Sequence, residues 1–177
     1  MKLIILDRDG VINQDSDAYI KSPDEWVPVP GSLEAIARLT HGGWRVVVAT
    51  NQSGVARGLF DLATLSAIHG KMHQAVGAFG GHIEAVFFCP HGPDALCDCR
   101  KPKPGLITEI LQRFDHPPRD VPVVGDSLRD LEAAAAAGCR PILVRTGKGE
   151  KTLAKGGLPA HTNVHPDLAS VAAEFAP

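Results

Sequence analysis

Aromatic side chains are scarce in this chain, with six Phe, two Trp and one Tyr among 177 residues. Proteins that hold single-stranded nucleic acid stack bases on such rings, so the scarcity counts against that class. Charge counts against it as well, because 18 Lys and Arg face 20 Asp and Glu for a formal net charge of -2 at pH 7. A nucleic-acid face needs a basic excess. Long apolar runs are missing too: the stretch before Asp7 is too short for a signal peptide, and no segment approaches membrane-spanning length. These absences predict a cytoplasmic protein with no nucleic-acid and no membrane partner, acting as a monomer. Four cysteines in a reducing compartment serve more readily as metal ligands or small buried residues than as a disulfide framework. No repeat, low-complexity segment or linker divides the chain. With 44% hydrophobic residues it is expected to form one domain, residues 1–177, burying about 70% of its unfolded surface.

What is present alternates between two periods. Leu3 to Leu6, Arg45 to Ala49, Glu84 to Phe88, Val121 to Val124 and Pro141 to Val144 are short apolar runs of the kind that form doubly covered strands. Between them lie helical patterns. One starts at Ser32, read as its cap, and ends at Gly42-Gly43; another is capped by Asp61 and reaches about Phe79. A third begins with Pro104 at its first position, a fourth covers 128–137, and the tail offers a weak strand near Asn163-Val164 and a helix from Pro166 to Phe175. Strand and helix in alternation predict an α/β fold, a three-layer Rossmann-like domain with a parallel sheet and no separate cap domain. Residues 13–30 read as a long loop anchored by Trp26 and Val27, and loops of that length are often functional.

Three of the strands end abruptly in polar groups: Asp7 and Asp9 after the first, Thr50 and Asn51 after the second, Asp126 after the fourth. In an open parallel sheet those ends share one rim, where ligands bind. An isolated Asp-x-Asp is more simply a solvated acidic turn, but carboxylates gathered from separate strands repel and resist desolvation unless a hard cation sits among them. Magnesium is the expected ion, since it takes oxygen ligands and shares its remaining positions with phosphate. Arg100 and Lys101 supply fixed positive charge for that phosphate. Asn51, Gln52, Ser53 and Arg57 belong to a segment of amides, hydroxyls and glycines suited to an anion-binding loop.

The cysteines make a second cluster. Cys89, His91, Cys97 and Cys99 offer three sulfurs and one nitrogen in a polar segment, which favours a closed zinc site over buried thiols or a redox pair, while Cys139 reads as core. With no ligand position left open, zinc would brace the loop and aim Arg100 and Lys101. His69 and His73 stand one helical turn apart; without a third ligand they read as surface histidines.

Asp7-Arg8-Asp9-Gly10, Thr50-Asn51, Lys101 and Gly125-Asp126, within residues 4–130, resemble the four motifs of the haloacid dehalogenase superfamily of phosphatases. The resemblance implies that Asp7 attacks phosphorus, that Asp9 protonates the leaving oxygen and then activates water, that Thr50 and Lys101 gather the transferring oxygens, and that Asp126 holds Mg²⁺ beside Asp7 and the Asp9 carbonyl. The cysteine loop is similar to that of the branch containing heptose bisphosphate and histidinol phosphate phosphatases. Asn51 to Gly58 and Val144 to Lys148 favour the heptose side, which implies a small phosphorylated sugar as partner, the 7-phosphate of the β-anomer as the group removed, and lipopolysaccharide-core biosynthesis as the setting. The five-residue spacer between His91 and Cys97 instead resembles the histidinol side. Arg57, Arg100 and Lys148 are more cations than one phosphate at Lys101 requires, and the specificity loops are Asp15 to Tyr19, Gln52 to Arg57 and His91 to Arg100. A receiver domain, which phosphorylates an aspartate after its third strand, fits less well because the third run here leads into Cys89. A zinc-dependent binding module without turnover is the other alternative.

Overall fold

Strand β1 (Lys2–Leu6) is the centre of a six-stranded parallel sheet, and every residue from Leu3 to Leu6 is fully buried. The computed structural model describes all 177 residues, Met1–Pro177. Side chains alternate across a strand, so β1 feeds two cores at once. Ile4 and Leu6 pack with helices α1 (Ser32–His41), α2 (Leu62–Ala78) and α6 (Leu168–Phe175), whereas Leu3 and Ile5 pack with α3 (Gly105–Arg113) and α4 (Leu128–Ala136). Each fully buried Ile or Leu contributes about 1.5–3 kcal/mol. Covering of both faces explains why these strands are continuously apolar rather than alternating.

The strand order is β3-β2-β1-β4-β5-β6, with β2 at Trp44–Asn51, β3 at Ala85–Cys89, β4 at Pro122–Gly125, β5 at Arg140–Val144 and β6 at Asn163–His165. The chain winds outward from β1 to β3 and then returns to place β4 on the other side of β1. That reversal opens a crevice beyond the carboxyl ends of β1 and β4. Asp7 N donates to Val124 O at 2.9 Å, so the ladder between these two strands continues up to the first acidic residue. No helix is long and apolar enough to cross a membrane.

Several local expectations need correction. Ser32 is the first helical residue rather than the cap, which is Gly31 in the left-handed region (φ 83°); Ser32 Oγ donates to Val11 O at 2.7 Å and ties the helix to the turn after β1. Pro104 occupies the cap of α3 and Gly105 starts it; a Cβ at 105 would strike the Asp98 backbone, so the position takes glycine. Helix α5 (Gly149–Lys155) carries only Leu153 and Ala154 as apolar residues and so leaves no periodic signal. In the 13–30 loop Trp26 is buried but Val27 is exposed; Ile20 and Val29 are the further anchors. His69 is buried among the inward positions of α2, not at the surface, while His73 is exposed.

Candidate active site

The crevice holds a cleft of about 340 Å³, and only two of its nineteen lining residues are hydrophobic. Such a lining suits a small, highly charged ligand rather than an apolar one. Asp7, Asp9, Asn51, Gln52, Ser53, Arg57, Arg100, Lys101, Asp126 and Asp15 all line it, so residues from distant parts of the sequence meet in one place. Thr50 is fully buried at the end of β2 and its Oγ1 accepts from Gln52 Nε2 at 2.9 Å.

Carboxylate oxygens of Asp7, Asp126 and Asp130 lie within 4.8 Å of one another. Burial, followed by repulsion from Asp130, pushes the Asp7 carboxyl up to about 7 despite the Lys101 charge. Burial, followed by Asp7 and Asp130, pushes Asp126 up to about 8. A pair of acids held this far above their ordinary range is the signature of a place where positive charge belongs, and an oxygen-only donor set fits a hard divalent cation such as Mg²⁺. Space for Asp126 comes from Gly10 (φ 83°) and Gly147 (φ 57°), since a Cβ on either would collide with its Oδ2. Backbone N–H of Lys148 donates to that same Oδ2 at 2.8 Å, and Thr152 Oγ1 donates to the Asp126 carbonyl at 2.7 Å.

Asp130 escaped the sequence reading. Its Oδ1 accepts from Lys101 Nζ at 2.6 Å, and its Oδ2 accepts from Ser127 N at 3.1 Å and Ser127 Oγ at 2.8 Å. Burial would raise this carboxyl, but Lys101 and the Ser127 hydrogen bonds outweigh it and hold it below the usual carboxylate range. The available signal was Ser127-x-x-Asp130, a capping box at the start of α4 and one turn after Asp126. Lys101 also donates to Ala49 O at 2.8 Å and pairs with Asp7 Oδ1 at 3.0 Å. Burial alone would lower its ammonium; the Asp130 and Asp7 carboxylates more than offset this and keep it charged. Asn51 lines the cleft, yet its amide is committed to the Lys101 backbone: Nδ2 donates to Lys101 O at 3.0 Å and Oδ1 accepts from Lys101 N at 3.1 Å.

Asp9 is held differently. Arg8 Nη2 and Nε donate to Asp9 Oδ1 at 2.8 and 3.2 Å, Asn13 Nδ2 donates to it at 2.9 Å, and Gln52 Nε2 donates to Oδ2 at 3.0 Å. Burial pushes this carboxyl up, but the Arg8 charge and the Asn13, Arg8 and Gln52 hydrogen bonds prevail and keep it ionised. Asp15 pairs with Lys148 Nζ at 3.3 Å across the cleft, Arg57 lies 5.8 Å from the Tyr19 ring centroid, and Arg129, which sequence reading missed, adds a further exposed cation to the lining.

Beside the cleft, Cys89, His91, Cys97 and Cys99 bring one ligand atom each within 4.8 Å of the others. Cys89 Sγ is 3.9 Å from Cys97 Sγ, and His91 Nδ1 is 3.4 and 3.3 Å from the sulfurs of Cys89 and Cys99. Zn–S bonds of about 2.3 Å in a tetrahedron place sulfurs about 3.8 Å apart, so the four can hold a zinc ion. Cys89 is the last residue of β3, one position further along the strand than the expected end at Phe88, and it anchors the loop in the sheet. Cys139 is buried in the core away from this cluster, and burial pushes its thiol up to about 12.

Comparison with known proteins agrees with this geometry. Residues 98–171 match the HAD-hydrolase-like family model. The D-glycero-beta-D-manno-heptose-1,7-bisphosphate 7-phosphatase of Bordetella bronchiseptica is 66% identical over 175 residues, covering 99% of this chain and 98% of that protein. The enzyme of the same name from Pseudomonas aeruginosa is 56% identical over 170 residues, covering 96% and 95%. The crystal structure of the B. bronchiseptica D,D-heptose 1,7-bisphosphate phosphatase, complexed with magnesium and phosphate, superposes with a TM-score of 0.98 over 99% of this chain and 98% of that one. The chain belongs to the D-glycero-beta-D-manno-heptose-1,7-bisphosphate 7-phosphatase family, within the haloacid dehalogenase-like hydrolases.

Proposed function

We propose that the chain, working as a monomeric cytoplasmic enzyme with residues 1–177 as one domain, hydrolyses the 7-phosphate of D-glycero-D-manno-heptose 1,7-bisphosphate, in its β-anomer, to the 1-phosphate. The observation that carries this reading is the division of charge in one cleft. Asp7 and Asp130 pair with the buried Lys101, Asp126 groups with those two carboxylates, and four more accessible cations, Arg57, Arg100, Arg129 and Lys148, line the same space. A divalent cation among the carboxylates would join Lys101 in taking one phosphate; a second phosphate on the same molecule gives Arg57, Arg100 and Arg129 a counter-charge. The names of the relatives support the same substrate.

Asp7 Oδ1 accepts from Arg8 N at 2.8 Å as well as from Lys101, which leaves Oδ2 free of hydrogen-bond partners to attack phosphorus. Its attack forms the Asp7–phosphoryl bond as the bond from phosphorus to the sugar oxygen breaks, and Asp9 gives that oxygen its proton. In the second half-reaction Asp9 takes a proton from water, the water oxygen attacks phosphorus, and phosphate leaves with Asp7 regenerated. Asp9 is ionised in the free site; a phosphate dianion beside it raises its proton affinity and favours the acid form for the first step. Asp7, Asp126 and the Asp9 carbonyl would hold Mg²⁺. That ion supplies neutralisation of the phosphoryl oxygens as their charge redistributes. Thr50 and Lys101 add fixed donors for the same oxygens, and Gln52, Ser53, Arg57, Arg100 and Asp15 contact the sugar and its second phosphate.

A steady-state panel tests the reading. Heptose 1,7-bisphosphate should exceed histidinol phosphate in kcat/KM, and Asp7→Asn should abolish magnesium-dependent phosphate release with the fold intact. Preference for histidinol phosphate would replace the substrate, and turnover by Asp7→Asn would remove the acyl-phosphate route.

A further inference from the structure

Arg8 stands between the two acidic residues of the first motif, yet its side chain is only 1% exposed. A buried guanidinium needs its donors satisfied, since each orphaned one carries a desolvation penalty. Nε and Nη2 are satisfied by Asp9 Oδ1, and Nη1 lies 3.2 Å from His69 Nε2 on helix α2. Arginine offers no acceptor, so Nε2 must accept and the imidazole proton must sit on Nδ1. Position 69 lies in the buried stripe formed by Leu65, Ile68, Met72 and Val76, where packing alone would take an apolar residue. The ring of Phe88, near the end of β3, lies 6.4 Å away, centroid to centroid. Burial and the adjacent Arg8 charge push this imidazole down to about 4, in keeping with a permanent acceptor.

We propose that His69 is a positioning residue for phosphoryl transfer, holding the Arg8 guanidinium in the orientation that aims Asp9 at the leaving oxygen. The proposal rests on the role given to Asp9 above. Without the acceptor, Nη1 becomes a buried unpaired donor, and the fork on Asp9 Oδ1 is free to turn toward another partner. Geometric errors at a proton donor are felt most where the leaving group cannot depart unprotonated. A sugar alkoxide is such a group; 4-nitrophenolate is not.

The experiment compares kcat/KM for heptose 1,7-bisphosphate and 4-nitrophenyl phosphate in His69→Leu and His69→Gln, with thermal midpoints measured alongside. His69→Leu should lose about tenfold or more with the sugar bisphosphate and less than about threefold with the aryl phosphate, because misplacement removes part of the 10²–10⁴ available from proton transfer. His69→Gln carries a carbonyl oxygen where Nε2 was and should recover most of the loss. A general packing defect would lower both substrates together; that result, unchanged kinetics in His69→Leu, or equal damage in His69→Gln would each overturn the proposal. If the leucine variant does not fold, His69→Met takes its place. Asp9→Asn separates the two levels. If that variant stays fully active on the sugar bisphosphate, the role of Asp9 fails and His69 falls with it, whereas an inactive Asp9→Asn beside a wild-type His69→Leu refutes His69 alone.

Discussion

Arg100 and Lys101 are consecutive in sequence and line the same cleft, but the fold holds them in opposite ways. Lys101 is 3% exposed, its ammonium is fixed by Asp130, Asp7 and Ala49 O, and Asn51 pins its backbone. Arg100 is half-buried, with a bond from Nη1 to His91 O at 3.3 Å, so its place depends on the cysteine loop. Under the proposed mechanism the difference separates two jobs within one phosphomonoester hydrolase. Groups that meet the transferring phosphoryl are preorganised by a buried network, because reorganising them during reaction would raise the barrier. Arg100, proposed to recognise the rest of the substrate, hangs instead on a loop whose Cys/His cluster can hold a metal.

The comparison breaks most visibly at Lys101. Lys101→Met keeps much of the side-chain volume and removes the charge, and kcat for the sugar bisphosphate should fall about 10²- to 10³-fold, the scale of losing one preorganised donor. Asp7 and Asp130 are then left facing each other without a counter-ion, so thermal stability should fall as well. A kcat within threefold of wild type would show that Lys101 is structural only.

Magnesium should act on stability with a defined pH dependence. The folded carboxyls of Asp7 and Asp126 sit at about 7 and about 8, above the ordinary value of 3.8. A raised folded value means that the native state retains protons the unfolded chain has released. The stabilising contribution of these groups is therefore present below about pH 4 and is lost as pH rises toward 8. Mg²⁺ binds the ionised pair, so its stabilisation should be small at pH 5 and large at pH 8. At one hundred times its dissociation constant the ion should raise Tm by roughly 5–10 °C at pH 8. A shift independent of pH, read by thermal denaturation, would place the ion elsewhere.

Zinc removal sharpens the other side of the contrast. Stripping the ion with a chelator, then restoring Mg²⁺ in excess, should raise KM about tenfold, the worth of one charge-assisted contact such as that of Arg100. Because Lys101 has its own buried supports, kcat should stay within about threefold. Equal losses in kcat and KM would mean that the loop also positions Lys101.

Legibility in the sequence follows the same line. Strands β1, β2 and β4 announce both themselves and the rim, since apolar runs that stop at Asp7, Thr50 and Asp126 bring their polar ends to one edge of a parallel sheet. The cysteine cluster was legible because ligand chemistry is written in residue type. Residues that act through other residues were not. Asp130 carries no reading of its own in the sequence, Arg8 appears there only as a member of the first motif, and His69 reads as a surface histidine; only their burial and partners in three dimensions give them roles. Helix α5 was hidden for another reason: seven residues are too few to display a period.

Asn51 offers the smallest effect and the finest discrimination, because it connects the two neighbours. Asn51→Ala removes both hydrogen bonds to the Lys101 backbone but leaves the ammonium with Asp130, Asp7 and Ala49 O. At about 0.5–1.5 kcal/mol for each lost bond, stability should drop by about 1–3 kcal/mol. If the buried network alone holds the ammonium, kcat should fall less than about fivefold, since the transferring oxygens still meet the same charge. If instead kcat falls as far as in Lys101→Met, the backbone clamp is what aims the charge, and preorganisation at this site begins in the peptide rather than in the ion pairs.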